Sequence, residues 1–342
     1  MREISIQKNE AGQRMDKFLA KYLNKAPKSF FYKMMRKKNI TLNGKKAAGN
    51  EQLKQGDVIK LFLAEETIEN FIDHSQFSKK KASSAKKQTA GKKVQLDILY
   101  EDEAAVFINK PVGMLSQKAF PTDTSLVEYF IDYLLENGKI TEEELHTFHP
   151  SVCNRLDRNT SGIVAAGKTL QALQGLSEMF RDRTLKKYYL CLVKGQVKEN
   201  QRIHGYLVKN EKTNKVTVSQ KKPAEQTKDG KATSAIDTEY KVLARNRETT
   251  LLEVHLITGK THQIRAHLAS IGHPLAGDYK YGNRSFNDAL KKKYGLRSQL
   301  LHAYRLEFPE NCEGDIKQLS GKIIKAPVPA LFEQICKAQG VM

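Results

Sequence analysis

One stretch decides how this chain is interpreted: Asn154-Arg155-Leu156-Asp157-Arg158-Asn159-Thr160-Ser161-Gly162, followed directly by the apolar run Ile163-Val164-Ala165-Ala166. Asp157 lies between Arg155 and Arg158, and nearby positive charge favours the ionised form of a carboxyl group. An ionised carboxylate is available as a nucleophile or as a general base. The alternative is a structural salt bridge on a loop. The tripeptide Arg-Leu-Asp alone favours that alternative, because such tripeptides often arise by chance.

The charge of the chain indicates a polyanionic partner. Its 342 residues include 58 Lys and Arg against 38 Asp and Glu, a formal net charge of +20. Nucleic acid is favoured over a membrane, because no apolar run approaches the roughly 20 residues of a spanning helix and no lipidation signature is present. We therefore expect Arg155 and Arg158 to contact nucleic-acid phosphates or to stack against a base.

Residues 1–10 and the cysteines indicate the cellular compartment in which we expect the protein. Residues 1–10 are charged and mixed and lack the apolar core of a signal peptide, which predicts a cytoplasmic protein. The cysteines lie far apart and form no Cys-x-x-Cys pair, so the sequence indicates neither a zinc site nor a disulfide framework. They are Cys153, Cys191, Cys312 and Cys336.

Residues 1–64 have the pattern of a small domain with two helices and a small sheet. Apolar residues recur at three- and four-residue spacing from Met15 to Leu23, as on one buried helix face. A second helix is expected from an N-cap at Ser29, with a solvated basic face that includes Lys33, Arg36 and Lys37. Asn43-Gly44 predicts a hairpin turn, and Gly56-Asp57 a turn into a further strand.

Residues 65–93 are predicted to be a basic flexible linker, because lysines lie among serine, alanine and glutamine with little that can pack. The linker tethers two domains, and its lysines also suit loose contact with phosphates. A second polar stretch, 209–231, is expected to form a long hairpin or insertion on the binding face.

Residues 94–342 are rich in predicted strands and poor in helices, which favours an α+β domain with a mainly antiparallel mixed sheet. The predicted strands are 96–100, 104–108, 162–166, 188–193, 235–243 and 249–257. The predicted helices are 125–137, 169–181 and 262–271.

The nine residues around Asp157 closely resemble the motif that carries the catalytic aspartate in the RluA-type pseudouridine synthases, a family that includes large-subunit ribosomal enzymes. Further segments resemble that family in its own order and cover most of 94–309. These segments are Ile108-Asn109-Lys110-Pro111-Val112-Gly113-Met114, Lys187-Tyr188-Tyr189-Leu190, Thr258-Gly259-Lys260-Thr261-His262-Gln263-Ile264-Arg265, Gly277-Asp278-Tyr279-Lys280-Tyr281-Gly282 and Leu300-Leu301-His302-Ala303.

The front region resembles an S4-type RNA-binding domain through Gly12-Gln13-Arg14-Met15-Asp16-Lys17-Phe18-Leu19 and the two turns. Arg14 and Lys17 are therefore expected to bind RNA. Two departures from the family pattern concern fine geometry and substrate choice: Asn154 stands where histidine is usual, and Lys260 replaces an arginine.

The resemblance implies that Asp157, Tyr189 and Arg265 catalyse the isomerisation of uridine to pseudouridine. Asp157 acts at C1′ of the ribose, either by covalent attack or by assisting elimination. Tyr189 is expected to stack on the uracil and to help move a proton, and Arg265 to position Asp157. Arg155 corresponds to a base-displacing arginine whose flat guanidinium fills the gap left by the flipped base. Lys187 is expected to contact the RNA.

The reaction needs neither a redox cofactor nor a metal, and we expect none. His262, His267 and His273 do not share a helix face as the ligands of a helical zinc site would. The expected partner is ribosomal RNA of the large subunit, bound by a monomer. Two alternatives are a synthase acting on transfer RNA and a non-catalytic RNA-binding or assembly factor.

Overall fold

The computed structural model describes residues 1–72, 94–142, 144–210, 215–222 and 233–342. Its first 72 residues form a small antiparallel sheet with helices packed beside it. The strands are β1 Arg2–Ser5, β2 Ile40–Leu42, β3 Lys45–Lys46 and β4 Val58–Leu61, in the order β1-β4-β2-β3. The helices are α1 Met15–Tyr22, α2 Lys28–Arg36 and α3 Glu65–Asn70.

Local sequence explains most of this region. Met15, Phe18 and Leu19 are buried on one face of α1. Asn43 and Gly44 both have positive φ, 50° and 74°, which matches the twist of a two-residue hairpin between β2 and β3. The predicted cap at Ser29 is wrong, because the extended residue before α2 is Pro27 and the helix begins at Lys28.

The linker predicted at 65–93 begins too early. Residues 65–70 form α3, and the side chains of Ile68 and Ile72 are buried in the same apolar core as Phe18 and Leu61. The polar composition of the segment led to the linker prediction, although these two isoleucines pack in the core. The rest of the predicted linker, 73–93, lies outside the described residues.

The second region is built on an eleven-stranded sheet. Its strands are β5 Ile98–Glu101, β6 Ala105–Lys110, β7 Ser151–Val152, β8 Ser161–Gly167, β9 Lys186–Lys194, β10 Gln201–Asn210, β11 Lys215–Ser219, β12 Thr233–Arg245, β13 Thr249–Leu256, β14 Leu301–Glu307 and β15 Ile323–Lys325. Its helices are α4 Leu126–Glu136, α5 Leu170–Asp182, α6 Gln263–Ser270, α7 Arg284–Tyr294 and α8 Ala330–Ala338, with two short 3-10 turns at Glu144–His146 and Gly314–Leu319.

The order of the strands is β11-β10-β12-β13-β9-β14-β8-β6-β5, with β7 paired to β8 and β15 paired to β14. Among the described strands only β8 and β14 pair in parallel, so the predicted mainly antiparallel α+β fold is confirmed. The alternation of residues along β8 separates two layers, since Val164 and Ala166 belong to one apolar cluster and Ile163 and Ala165 to another. Helices therefore cover both faces of the sheet.

All six predicted strands and all three predicted helices of this region are present, with ends shifted by a few residues. The helices α7 and α8 and five strands, β7, β10, β11, β14 and β15, were not predicted. Within the predicted hairpin 209–231, β10 and β11 pair antiparallel, whereas 211–214 and 223–231 lie outside the described residues. In the part of the chain that the structure describes, no helix is long and apolar enough to cross a membrane.

Candidate active site around Asp157

Asp157 lies on the loop between β7 and β8. Ser116 forms two hydrogen bonds with the backbone of Leu156, the residue before it. The Ser116 hydroxyl donates to the carbonyl of Leu156 and accepts from the backbone N–H of Leu156, both at 3.0 Å. Asn154 fixes the start of the loop, because its side-chain oxygen accepts from the backbone N–H of Ala165 at 2.8 Å and its amide donates to the carbonyl of Ile163. Asn154, which stands where the family usually has histidine, thus stabilises the start of the loop.

Lys110 holds the far side of the same loop. Its side chain is fully buried, and Nζ donates to three backbone carbonyls, those of Pro111, Met114 and Arg158, at 2.9 to 3.2 Å. Burial lowers the pKa of Lys110 to about 8, although the negative charge of Asp157 opposes that shift. The two loops are also joined directly, since Gly113 N–H donates to the Arg158 carbonyl at 2.9 Å and Arg158 Nε donates to the Gly113 carbonyl at 3.1 Å.

Gly162 allows the loop to enter the sheet. It has φ +113°, and a Cβ atom there would lie 2.1 Å from the carbonyl oxygen of Ala303 in β14. Only glycine fits this close parallel pairing. The adjacent Ser161 hydroxyl is 2.9 Å from His302 Nδ1, so β14 fixes the end of the loop through a second contact.

Arg265 connects the loop that carries Asp157 to a buried carboxylate. Its NH1 group donates to Asp157 Oδ2 at 2.9 Å, while Nε and NH2 donate to the two oxygens of Asp278 at 2.7 and 3.0 Å. Asp278 is completely buried, whereas a quarter of the Asp157 side chain is exposed. Burial alone would raise the pKa of Asp278, but Arg265 and the backbone N–H groups of Lys280 and Tyr281 lower it below its usual range. Both carboxylates raise the pKa of Arg265, against the effect of its burial.

Tyr189 lies beneath this group on β9, between Val254 of β13 and Ala303 of β14. It is buried, and burial followed by the nearby charge of Asp157 raises the pKa of its phenol well above the usual range. The phenol therefore stays neutral near pH 7, where it is available as a hydrogen-bond donor and not as a phenolate base.

His262 and Tyr281 lie next to each other beside Asp157. The Nε2 atom of His262 is 3.8 Å from Asp157 Oδ2, and its Nδ1 atom is 2.8 Å from the Tyr281 hydroxyl. The Arg265 guanidinium lies 5.2 Å from the centre of the Tyr281 ring, within reach of a cation–π interaction. The structure thus brings together the three residues predicted as catalytic, Asp157, Tyr189 and Arg265.

Sequence reasoning gave no role to Lys110, Asp278 or Tyr281, although all three lie in segments that carry the family resemblance. The family resemblance identified these segments but not the partners of these side chains.

The predicted RNA-binding residues differ in exposure. Arg155, Arg158, Lys17, Lys33, Arg36 and Lys37 are exposed. Arg14 is also exposed, with two hydrogen bonds of 3.0 Å to Asp16. Lys187 is buried instead, because it lies two residues before Tyr189 on β9 and therefore shares its core-facing side. Burial lowers the pKa of Lys187, with Arg183 adding to the effect.

A metal centre has no candidate among the described residues, because no three His, Cys, Asp or Glu side chains lie close enough together to bind an ion. His267 is instead bonded through Nδ1 to the Thr238 hydroxyl at 2.9 Å, within the network that secures α6.

Comparisons with known proteins identify related sequences and a related fold. The family model described as RNA pseudouridylate synthase matches residues 104–270. Ribosomal large subunit pseudouridine synthase C of Vibrio parahaemolyticus is 33% identical over 336 residues, which cover 97% of this chain and 94% of that protein. The protein of the same name from Salmonella typhi is 31% identical over 327 residues, with 94% and 93% covered. The solved structure of human RNA pseudouridylate synthase domain containing 4 has a similar fold, with a TM-score of 0.56 and 22% identity over 71% of this chain and 93% of that one.

Proposed function

The chain belongs to the RNA pseudouridylate synthase family, and we propose that it converts specific uridines of large-subunit ribosomal RNA into pseudouridine with Asp157 as the catalytic carboxylate. The activity, isomerisation of uridine in RNA, follows from the family. The choice of ribosomal RNA rests on the two relatives named for the ribosomal large subunit, each aligned over more than nine-tenths of this chain.

The observation that supports the role of Asp157 is that a hydrogen bond holds one side of its carboxylate while the other side stays open. Arg265 contacts Asp157 through NH1 alone, because its other two nitrogens, Nε and NH2, are bonded to Asp278. The bond to Asp157 keeps the carboxylate oriented, while a quarter of the side chain remains open to a substrate. Asp278, by contrast, is fully buried and has no side open to a substrate.

The chemistry fits such a carboxylate. The bond from C1′ to N1 of uracil breaks, the base turns, a bond from C1′ to C5 forms, C5 loses its proton and N1 gains one. The atoms balance without oxidation or reduction. Asp157 either forms a temporary ester at C1′ or assists elimination from the sugar, and in both routes it must start ionised. Tyr189 is neutral and close enough to be affected by the charge of Asp157, so it can contact the detached uracil.

Access to a paired uridine requires the base to leave its stack, at a cost of a few kcal/mol. Arg155 is exposed two residues before Asp157, where its guanidinium can occupy the space of the flipped base. Residues 1–72 supply a second basic surface through Lys17, Lys33, Arg36 and Lys37, which suits an S4-like RNA-binding domain. The proposal places a monomer in the cytoplasm, where ribosomal RNA is available to it.

The test is a map of pseudouridine across total RNA from cells that lack this protein, then from cells that also express the wild type, Asp157→Asn or Asp288→Asn. Asp288 is an exposed aspartate on α7 and serves as the matched control. Wild type and Asp288→Asn should restore one or more sites in large-subunit ribosomal RNA, and Asp157→Asn none. Restoration by Asp157→Asn would exclude it as the catalytic carboxylate, and changes confined to transfer RNA would refute the ribosomal assignment.

A further inference from the structure

His262 combines an uncommon backbone conformation with a largely buried side chain. Four described non-glycine residues have positive φ, and Lys38, Asn43 and Arg183 are exposed residues at turns or helix ends. His262 precedes helix α6 with φ +54°, and only 11% of its side chain is exposed. An uncommon backbone conformation at a buried residue beside a candidate catalytic group suggests a role for that residue.

The hydrogen bonds around His262 favour one of its two tautomers. The Tyr281 oxygen accepts from the backbone N–H of Val216 in β11 at 3.1 Å, so the hydrogen of that hydroxyl is free to be donated. His262 Nδ1 lies 2.8 Å from this hydroxyl, and a hydroxyl that donates to it makes Nδ1 the acceptor. In a neutral imidazole the hydrogen must then be on Nε2.

The imidazole is neutral for a physical reason. Burial lowers the pKa of His262, and the cations of Arg265 and Lys280 lower it further, while Asp157 and Asp278 act in the opposite direction. A neutral ring with its hydrogen on Nε2 directs a single donor to Asp157 Oδ2, 3.8 Å away. That distance exceeds a hydrogen bond, but such contacts in ligand-free sites commonly shorten when substrate binds.

We infer that His262 is a positioning residue for Asp157: Tyr281 and the Val216 backbone fix its Nε2–H tautomer, and that hydrogen bonds Oδ2 when RNA is bound. His262 and Arg265 occupy the N-cap and third position of α6, so they lie on the same side of its first turn. Both donors converge on Oδ2, which leaves Oδ1 as the oxygen presented to C1′. The inference rests on the proposed role of Asp157.

The inference also links the site to a distant part of the sheet. β11 pairs with β10 on one edge, and Val216 on that strand anchors Tyr281. The tautomer of His262 therefore depends on where β11 lies.

The kinetic test uses the full chain and large-subunit ribosomal RNA transcribed in vitro with tritium at C5 of uridine, since turnover releases that tritium. His262→Leu, which cannot donate, should lower kcat about 100-fold with little change in KM, as expected for a misplaced catalytic group. His262→Gln, whose amide can replace Nε2–H, should recover at least tenfold of that loss. Tyr281→Phe should lower kcat about tenfold.

The matched controls are His273→Gln and Tyr279→Phe. His273 is a partly buried histidine bonded to the Lys194 carbonyl, and Tyr279 is an exposed tyrosine bonded to Asp288. Both controls should keep the wild-type kcat. Equal kcat values for His262→Gln and His262→Leu, with both folded, would overturn the inference.

The tautomer is measured independently by nitrogen NMR of the protein labelled at histidine, with the His262 signals assigned by their loss in His262→Gln. Wild type should show an unprotonated Nδ1 and a protonated Nε2, and Tyr281→Phe a mixture of tautomers. A protonated Nδ1 in the wild type overturns the inference, even if the Leu variant fails to fold. If His262→Leu turns over normally while Asp157→Asn is inactive, only this inference fails; if Asp157→Asn turns over normally, the proposed function fails.

Discussion

Arg265 donates to Asp157 with one nitrogen and to Asp278 with two. The Asp278 side chain is fully buried, whereas a quarter of the Asp157 side chain is exposed. Asp278 is enclosed, so its pairing with Arg265 is screened little by solvent. Asp157 faces the open side of the site. The buried pair is thus the fixed support from which Arg265 orients the exposed carboxylate.

Asp278→Asn should therefore impair both stability and turnover. Removing the charge of Asp278 leaves the buried Arg265 with only the partly exposed Asp157 as its counter-charge, and we expect a loss of about 3 kcal/mol in the free energy of unfolding. Denaturant unfolding measures this loss, and tritium release measures the fall in kcat. Asp288→Asn, on the surface of α7, should leave both unchanged. If Asp278→Asn had the stability of the wild type, the Arg265–Asp278 ion pair would contribute little to the free energy of unfolding.

Lys110 should make stability depend on pH in the alkaline range. Its pKa is 10.5 in the unfolded chain and about 8 in the folded protein. Between those values the unfolded chain binds a proton that the folded protein has released, so stability rises with pH. The contribution is on the order of 3 kcal/mol across the window, since one pKa unit corresponds to about 1.4 kcal/mol.

Unfolding of the wild type and Lys110→Met, compared from pH 7 to 11, isolates this contribution because other titrating groups cancel in the difference. The wild type should gain stability over the variant as the pH rises through this window. Lys198→Met, at an exposed lysine, should give a curve parallel to that of the wild type. Parallel curves for Lys110→Met as well would contradict the assignment.

Gly162→Ala should disrupt the junction of β8 with β14. The new Cβ would lie 2.1 Å from a backbone oxygen that cannot move independently, and φ is in the left-handed region. We expect a loss of about 3 kcal/mol or more, measured by denaturant unfolding. Gly259→Ala is the control, since its Cβ would meet nothing within 4 Å. Comparable stability of the two variants would refute the steric argument.

The basic face of α2 should contribute to RNA affinity through phosphate contacts. Alanine at Lys33, Arg36 and Lys37 together should weaken binding and reduce the slope of log affinity against log salt by up to about 3. The same change of charge at Lys291, Lys292 and Lys293, exposed on α7, is the matched control. An equal reduction by both triple variants would indicate general attraction instead of a footprint on α2.

The sequence predicted the local structure around Asp157 well, because the turn residues and the apolar run of β8 act over a few positions. It did not predict Asp278 as the support of Arg265 or the parallel pairing of β8 with β14. Those contacts join segments far apart in the chain; Asp157 and Arg265, for example, are 108 residues apart. The burial of Lys187 was predictable in principle, since it shares the face of Tyr189 in a strand that alternates.

The position of β14 also bears on how the protein folds. β8 and β9 are consecutive in the sequence, yet β14 separates them in the sheet and pairs with both. Asp157 adjoins β8, whereas Tyr189 is on β9, so the two sides of the site join only when residues 301–307 insert between them. Such long-range pairing is slow. During synthesis a chain that has not reached β14 has no assembled site, and it cannot act on RNA before residues 301–307 have been made.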